Sequence, residues 1–375
     1  MLAVIIGAGI GGLAAAVALR KVGVEVLVVE RAPAIHEIGA GLSIWLNAIR
    51  ALRELDVDSA LAPCSSVVER ILSRTSSGRP IGIIDLRNLS GDVGIACICV
   101  HRADLQHVLL EALPPGAVRT GSNCVAFDGT DAILASGERI SGDALIGADG
   151  ISSVVRAALH GAHPPRYAGY TCWRGICNNE DVLPERAALL VTAAGSQFGA
   201  WPCRPGQIYW FLTKNAPAAT CQTRTDALAL CRNWAPPVPH IIEATGDDAV
   251  LQNDIIDRPP LRGWGRGPVT LLGDAAHAAT PNLGQGACQA LEDAVTLAHC
   301  LRSVAPPEAA LRAYEKLRIP RTTAVVKNSW KTGRMLQTEQ PALISLRNWL
   351  SATSLGAHLQ RQMFRELLAF RVPKL

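Results

Sequence analysis

The stretch LAVIIGAGIGG, residues 2–12, decides the fold of this chain. Residues 2–6 are an apolar run, typical of a parallel strand that is buried on both faces. Glycines follow at 7, 9 and 12 in GxGxxG spacing, and residues 13–21 continue as an alanine-rich helical pattern. A second apolar run, residues 24–29, ends in Glu30. The sequence therefore predicts a strand–helix–strand unit that opens a doubly wound α/β domain.

The chemistry of this unit points to a dinucleotide. Gly7 permits the tight turn, Gly9 lets the backbone approach a pyrophosphate, and Gly12 allows the helix to pack closely on the strand. The helix N-terminus directs unpaired N–H groups and a positive dipole end at phosphates. Glu30 stands 18 residues after Gly12, where a carboxylate can accept ribose hydroxyls. The alternative, a glycine-rich turn without a ligand, leaves Glu30 unexplained.

Composition excludes several classes of protein. The 375 residues are 49% hydrophobic and carry a net charge of only +4, which suits two globular domains. The basic residues are scattered, so we expect no nucleic-acid partner. The 11 cysteines lack metal-ligand spacing, which predicts reduced, buried thiols and no metal site. No stretch has the length of an apolar membrane span, so we expect a cytoplasmic protein; peripheral membrane contact by the C-terminal helix remains an alternative.

The remaining periodicity predicts two excursions from the first domain. Residues 37–45 contain too many glycines for a regular element, and a helix is expected from Asn47, whose side chain would cap it. Between residues 168 and 214 the pattern predicts an antiparallel sheet, followed by two short helices. The other expected elements are strands at 66–73, 81–85, 95–100 and 269–272, and helices at 287–301, from 308 past Trp330, and beyond 341.

Three separated motifs together resemble the class A flavoprotein monooxygenases, the single-component aromatic hydroxylases. The first is the glycine fingerprint with Glu30. The second, residues 145–156, looks like the family's DG motif, and the third, residues 272–277 with Pro281 and residues 284–286, looks like its GD motif.

The resemblance implies an α/β fold. An FAD-binding Rossmann-like domain of the GR2 type would carry an inserted antiparallel-sheet substrate domain and a C-terminal helical segment. The expected FAD-binding ranges are 1–65, 101–165 and 265–330. Residues 66–100 and 166–264 would form the substrate sheet, and residues 331–375 the terminal helices.

The same resemblance assigns the cofactor contacts. Asp274, at the carboxyl end of a strand, can accept a ribityl hydroxyl, and the helix after residues 284–286 can stabilise negative charge on the flavin ring. Each of these roles has an alternative without a ligand. Residues 284–286 could be a plain helix-entry turn, Asp149 could end a strand in a turn, and Arg102 could be solvated. The expected non-covalent FAD site comprises Gly7, Gly9, Gly12, Glu30, Arg31, Gly41, Arg102, Asp149, Asp274, Pro281, Gly286 and Ala287.

Two further stretches resemble the family near the ring. Residues 39–41 look like the loop beside a mobile isoalloxazine, and Asn47 matches a frequent family asparagine. Leu46 replaces the proline that commonly precedes it. Cys288 stands where many relatives carry Asn or Met, either as a thiol beside the ring or as a small packing residue.

The substrate side is less defined. Residues 167–175 resemble the first strand of the substrate sheet, closest to the urate hydroxylase and salicylate hydroxylase-like branch. Trp173, Trp201 and Phe211 are the candidate substrate residues, and Tyr209 with Gly284, Gln285 and Gly286 forms the candidate catalytic set. Tyr209 and Phe211 share a strand face, although a sheet packing on its own core explains them equally well. No firm general base emerges, and His277 is expected to satisfy backbone groups.

The resemblance implies a monooxygenase that uses FAD, NADPH or NADH, and O2. A flavin C4a-hydroperoxide would hydroxylate or epoxidise a small aromatic, heteroaromatic or conjugated substrate, and the protein would be a monomer or homodimer. Competing interpretations are a flavin halogenase or reductase on the same scaffold, or a non-catalytic flavoprotein binding partner. The halogenase WxWxIP motif is missing, and Lys214 is the only lysine between Lys21 and Lys316.

Overall fold

In the computed structural model, the strands of the described residues form four sheets. The structure describes residues 1–35, 40–178 and 182–375. Gly39, which was expected in the loop beside the flavin ring, lies outside the described residues. In chain order the strands are β1 (Leu2–Ile6), β2 (Glu25–Val29), β3 (Gly41–Trp45), β4 (Ser65–Val67), β5 (Arg70–Thr75), β6 (Pro80–Asp85), β7 (Cys97–His101), β8 (Val118–Arg119), β9 (Cys124–Asp128), β10 (Asp131–Leu134), β11 (Arg139–Ile140), β12 (Ala144–Gly147), β13 (Arg166–Cys177), β14 (Ala187–Ala193), β15 (Ser196–Pro202), β16 (Ile208–Asn215), β17 (Val250–Asp257) and β18 (Val269–Leu271).

The helices cover these sheets and form the C-terminal end of the chain. In no described helix are length and apolar character together sufficient to cross a membrane. The helices are α1 (Ile10–Lys21), α2 (Leu46–Glu54), α3 (Asp58–Leu61), α4 (Arg102–Glu111), α5 (Val154–His160), α6 (Arg224–Cys231), α7 (Val238–Glu243), α8 (Asp274–His277), α9 (Gly286–Ser303), α10 (Pro307–Leu336), α11 (Pro341–Ala352) and α12 (Ser354–Leu368).

A five-stranded parallel sheet, in the order β18-β12-β1-β2-β8, forms the first domain. Its central strands are continuous apolar runs because helices bury them on both faces. Parallel strands place their carboxyl ends at one edge, so Gly7, Glu30, Asp149 and Asp274 all follow strands at the same edge. This is the edge at which open α/β sheets bind ligands.

The second large sheet has seven strands in the order β17-β13-β16-β15-β14-β5-β6. Strands β13 to β16 span residues 166–215, within two residues of the region predicted at 168–214. The expectation of an antiparallel sheet is wrong at one pair, because β14 runs parallel to β5. That pairing joins the two excursions of the chain into one sheet.

A small sheet, β3-β7-β4, lies between the two large ones. Residues 41–45 were expected to be irregular, but they pair with β7 in antiparallel register. Tertiary pairing overrides the weak strand propensity of glycine. The strand expected at 95–100 is β7, and it pairs with β3 and β4 rather than with the seven-stranded sheet.

Helix boundaries near the motifs differ slightly from expectation. Helix α2 begins at Leu46, with Trp45 at the N-cap and no side-chain cap bond. Asn47 therefore lies inside the helix, and its buried amide bonds elsewhere. Helix α9 begins at Gly286, and α10 runs through an internal Pro320.

Candidate active site

The glycine fingerprint builds a turn that is open on one side. Gly7 has φ +105°, and a Cβ there would lie 2.6 Å from the carbonyl oxygen of Ala148. A Cβ on Gly12 would lie 1.9 Å from the carbonyl oxygen of Gly7, whereas one on Gly9 would meet nothing within 4 Å. The first helical bond of α1 is Leu13 N to Gly9 O, so three N–H groups before it have no intrahelical acceptor. This turn can receive a phosphate beside Gly9.

Glu30 braces this turn from the end of β2. One carboxylate oxygen accepts from Ala8 N at 2.7 Å, and the other accepts from Ala32 N at 2.9 Å. The sequence predicts a ribose partner for Glu30. Each carboxylate oxygen accepts more than one hydrogen bond, so the backbone contacts leave capacity for a hydroxyl.

Replacement of Glu30 by Ala should weaken FAD binding by about 1–3 kcal/mol, the usual cost of unpaired polar groups. Ala8 N and the ligand hydroxyl would both lose an acceptor. Titration of the apoprotein with FAD, followed by flavin fluorescence, measures the dissociation constant. Glu25→Ala, on the exposed start of the same strand, is the matched control. Equal dissociation constants for wild type and Glu30→Ala would contradict the placement of Glu30 at the ligand.

Asp149 closes the carboxyl end of β12. Its Oδ2 accepts from Val154 N at 2.7 Å, which caps α5. Its Oδ1 is buried and has no hydrogen-bond partner among the described residues. Burial raises the pKa of this carboxyl, although hydrogen bonds from Ser153 and the backbone oppose the rise. The orphaned oxygen is available to a ligand or its water.

Arg156, which the sequence analysis did not single out as a contact residue, links the second and third motifs. Its buried guanidinium donates to the carbonyl oxygens of Ala275 and Ala276, each at 3.0 Å. The bonds fix the short helix α8 that starts at Asp274.

Asp274 and two arginines are exposed at the same edge. Among described residues, the Asp274 carboxylate makes no hydrogen bond or ion pair, so it is free to accept a ligand hydroxyl. Arg102 begins α4, and Gln106, one turn later, donates to Ala8 O at 2.8 Å. Arg102 therefore lies on the helix face that adjoins the glycine turn. Arg31 is exposed just after Glu30.

The third motif presents a second helix N-terminus. Gly284 adopts a left-handed conformation, with φ +61°, and a Cβ there would lie 2.7 Å from Ser43 Oγ and 3.0 Å from Trp45 Nε1. The first helical bond of α9 is Gln289 N to Gln285 O. The N–H groups of residues 286–288 therefore have no intrahelical acceptor, and Gly286 is exposed. Pro281 is also exposed, and Ala287 is partly buried.

A buried amide cluster holds this loop from behind. The side-chain oxygen of Gln285 accepts from Asn47 at 3.0 Å and from Gln289 at 2.9 Å. Asn47 also donates to Glu292 at 2.6 Å. Gln285 is buried, so its side chain positions the loop while the backbone faces outward.

The cluster rests on buried charges that the sequence analysis missed. Arg318 is fully buried and pairs with both Glu292 and Asp293, and Arg321 donates two bonds of 2.7 Å to Glu292. Burial alone would raise the pKa values of the two carboxyls, but Arg318 and the other partners hold both below their usual range. His277 bonds to Asp293 at 2.6 Å, so the expectation that it satisfies backbone groups is wrong.

A group of aromatic rings lies beside the third motif. Gly41 lies against Tyr209, since a Cβ there would come 2.4 Å from the Tyr209 Cβ and Cγ. The ring centroids of Tyr209 and Phe211 are 6.3 Å apart, and those of Trp201 and Trp45 are 6.2 Å apart. The sequence analysis named Tyr209 as a candidate catalytic residue and Trp201 and Phe211 as candidate substrate residues, and these roles stay predictions. It did not name Trp45.

Phe364 of α12 completes this aromatic group, 5.2 Å from Trp45. Phe364 is separated from Trp45 by more than 300 residues, and nothing in the local helical pattern marks it as part of the site. The helical period only places Phe364 on the buried side of α12.

Trp173 falls differently from expectation, whereas Cys288 follows one of its two expected alternatives. Trp173 is fully buried on the opposite face of the seven-stranded sheet, among Phe198, Trp210 and the residues under α6 and α7. Its candidacy as a substrate residue is therefore wrong, because alternate residues of β13 point to opposite faces. Cys288 is buried beside Ser43 O and Gly284 O, and burial raises its pKa to about 12. It is a protonated packing residue.

Arg174 supplies a cation on the same face as Tyr209 and Phe211, since it pairs across the strands with Phe211. Burial raises the pKa of Tyr209, and the charge of Arg174 opposes that rise. Tyr209 is therefore protonated at neutral pH and can donate a hydrogen bond.

These features fit FAD. Two helix N-termini, the open side of Gly9, the orphaned Asp149 oxygen and the exposed Asp274 lie along one sheet edge. The glycine turn suits the pyrophosphate, Asp274 suits a ribityl hydroxyl, and the α9 N-terminus suits the flavin ring.

Comparisons with known proteins agree with this site. The profile of the FAD binding domain family matches residues 1–329. The chain is 40% identical to an aurachin C monooxygenase/isomerase of Stigmatella aurantiaca, over 89% of each chain. It is 34% identical to an FAD-dependent urate hydroxylase of Klebsiella pneumoniae, over 88% of this chain and 89% of the relative.

A solved structure shows the same fold. Klebsiella pneumoniae HpxO, complexed with FAD and uric acid, superposes with a TM-score of 0.91 at 30% identity, over 98% of this chain and 97% of that one. The expectations of an α/β flavoprotein fold and of FAD as cofactor are confirmed. The chain belongs to the FAD-binding-domain family, as an FAD-dependent monooxygenase of the class A hydroxylase type.

Proposed function

We propose that this enzyme uses NADPH or NADH, together with O2, to hydroxylate or epoxidise a small planar aromatic, heteroaromatic or conjugated molecule. The substrate would lie beside the junction at which β3 and Gly284 meet the Tyr209–Phe211 face of the seven-stranded sheet. Its relatives act on aurachin C and urate, as their names state, which supports a conjugated heterocycle.

The contact between Gly41 and Tyr209 carries this proposal. This contact places one face of the seven-stranded sheet against β3. Two other residues of β3, Ser43 and Trp45, lie against Gly284. A flavin ring at the α9 N-terminus would therefore adjoin the aromatic group. Flat aromatic walls favour a planar ligand through stacked or edge-to-face contacts.

Each group of the proposed site has a distinct role. FAD, when bound, supplies the redox and oxygen chemistry. The N–H groups of residues 286–288 stabilise negative charge on the ring, and Tyr209 donates a hydrogen bond to a polar substituent of the substrate. Arg174 favours a substrate that carries a negative or carbonyl oxygen, and the rings of Trp45 and Trp201 exclude water.

Flavin reduction should be at least tenfold faster when a turned-over substrate is bound. The described residues hold no second dinucleotide fingerprint, so NAD(P)H is expected to bind transiently on the FAD domain. Gating then requires the substrate to bind the reducible state more tightly by about 1.4 kcal/mol. Stopped-flow anaerobic reduction by NADPH and NADH, with and without substrate, measures the ratio.

Variants separate the pocket from the core. Tyr209→Phe and Phe211→Ala should lower the stimulation, and Trp173→Phe, on the opposite face of the sheet, should preserve it. The substrate comes from a panel of planar heterocycles, scored by NAD(P)H oxidation and then by product mass. Equal reduction rates with and without a verified substrate would contradict gating, and a panel with no oxygenated product would contradict the proposed reaction.

Two broader properties accompany this proposal. All 11 cysteines are free thiols, which supports a reducing compartment such as the cytoplasm. For the oligomeric state, we propose a monomer or a homodimer.

A further inference from the structure

The C-terminal helices expose an unusual number of large apolar side chains. Seven of them are 42–64% exposed. We call them the C-terminal apolar surface: Leu343, Leu346, Trp349 and Leu350 of α11, and Leu355, Leu359 and Met363 of α12.

Helical spacing shows that this exposure is not a by-product of core packing. Leu355, Leu359 and Met363 recur every four residues, so they form one stripe on α12. The core side of the same helix carries Phe364, which contacts Trp45, and Leu368, which is 2% exposed. Helix α12 therefore has one apolar face that packs on the core and a second apolar face that is exposed. Contiguous apolar patches of this kind mark interaction sites.

A basic cleft lies beside the apolar stripe. His358, Arg361 and Arg365 line a cavity of about 480 Å³ together with Asn88 and Gln362. Within the described ranges, the guanidinium groups of Arg361 and Arg365 have no carboxylate partner. Two arginine side chains line the cleft, so it suits a phosphate or another anionic group.

The net charge of the segment is positive. Residues 341–368 contain three arginines and a single acidic residue, Glu366. Its carboxylate accepts from Gln362 at 3.1 Å. A second copy of this chain would place like charges opposite each other across a two-fold axis, whereas an anionic surface complements them.

We propose that α11 and α12 dock this enzyme on the surface of an anionic phospholipid bilayer. The leucines, Trp349 and Met363 enter the boundary between headgroups and acyl chains, and Arg361 and Arg365 contact lipid phosphates. Amphipathic helices with leucine and tryptophan on one face and arginine on its flank bind membranes in this way. Because the described helices are too short or too polar to span a bilayer, the association is peripheral.

The docked face adjoins the active site. Phe364 projects from the core side of α12 onto Trp45, so the same helix separates the bilayer from the aromatic group. This arrangement gives a bilayer-dissolved substrate a short path to the pocket. The docking itself does not depend on the identity of that substrate.

Flotation of the FAD-loaded protein with large unilamellar vesicles tests the proposal. One set contains phosphatidylcholine alone, and the other adds phosphatidylglycerol as one third of the lipid. The protein should bind the anionic vesicles at least tenfold more tightly. Leu359→Asp combined with Leu355→Asp should lower binding at least tenfold, and Arg361→Gln with Arg365→Gln should remove the preference for anionic lipid.

Leu317→Asp is the matched control, because Leu317 is 54% exposed on α10, outside the C-terminal surface. Bound FAD and the melting temperature verify that each variant is folded. Absence of vesicle binding, or binding that the α12 variants leave unchanged, would overturn the proposal. Light scattering that shows a dimer disrupted by Leu355→Asp and Leu359→Asp, without vesicle binding, would overturn it in favour of a second copy.

Discussion

Arg318→Met should destabilise the folded protein by about 3–5 kcal/mol, the usual cost of removing one member of a buried ion pair. The variant leaves Glu292 and Asp293 buried with one cation fewer. Burial alone would lower the pKa of Arg318, yet the two carboxylates raise it, which shows how strongly the charges depend on each other. A loss of this size is a large part of typical domain stability.

Urea unfolding of the apoprotein, followed by tryptophan fluorescence, measures this change. Arg119→Met is the matched control, because Arg119 pairs with Glu138 on the surface, where ion pairs contribute little. Its midpoint should equal that of the wild type. Equal midpoints for Arg318→Met and the wild type would show that the network does not stabilise the fold.

Gly12→Ala and Gly9→Ala should damage the protein in different ways. The added Cβ at Gly12 meets Gly7 O at 1.9 Å, so the helix must move away from the strand, and both stability and FAD binding should fall. At Gly9, φ is −70° and the space is open. Gly9→Ala should therefore fold normally but bind FAD at least tenfold more weakly, because its methyl group occupies the side that a pyrophosphate needs.

The melting temperature of each apoprotein and its FAD dissociation constant separate the two effects. Gly263→Ala, another position with no neighbour within 4 Å, should change neither quantity. Tight FAD binding by Gly9→Ala would place the pyrophosphate elsewhere. A normal melting temperature for Gly12→Ala would contradict the close packing of helix and strand.

Local patterns predicted the first domain well because its signals lie close together in the chain. The apolar run, the glycine spacing and Glu30 all fall within 30 residues. The third motif likewise contains its own strand, turn and helix. Each residue type there follows from a backbone or charge requirement that acts within a few positions.

The buried charge network could not be predicted in this way. Glu292 and Arg318 stand on different helices, and a charged residue within a helical pattern is normally assigned to the solvated face. Their pairing depends on how α9 packs against α10. The prediction of Trp173 as a substrate residue was wrong for a similar reason. Period-two alternation separates the two faces of a strand, but it does not show which face is covered by helices.

Strand β3 shows how tertiary structure overrides composition. The glycines around residue 41 indicate an irregular loop, yet a glycine at that position leaves room for the ring of Tyr209. Glycines in this stretch are therefore compatible both with a turn and with a strand that lies in close contact with another sheet. Only the position of the second sheet distinguishes them.

The strand order of the first domain has a consequence for synthesis on the ribosome. Ala3 of β1 pairs with Ala144 of β12, whose next neighbour is β18, and α1 packs against α9 near Ala290. One edge of β1 pairs with β2, which follows closely in the chain, but its other edge waits for a partner that is translated much later. Such non-local pairing slows folding. Because the proposed FAD contacts include Asp274 and Gly286, FAD would stabilise the native state only after these residues have been translated. A nascent chain released before α9 is complete would expose its apolar strands without that stabilisation, and it would be a substrate for chaperones.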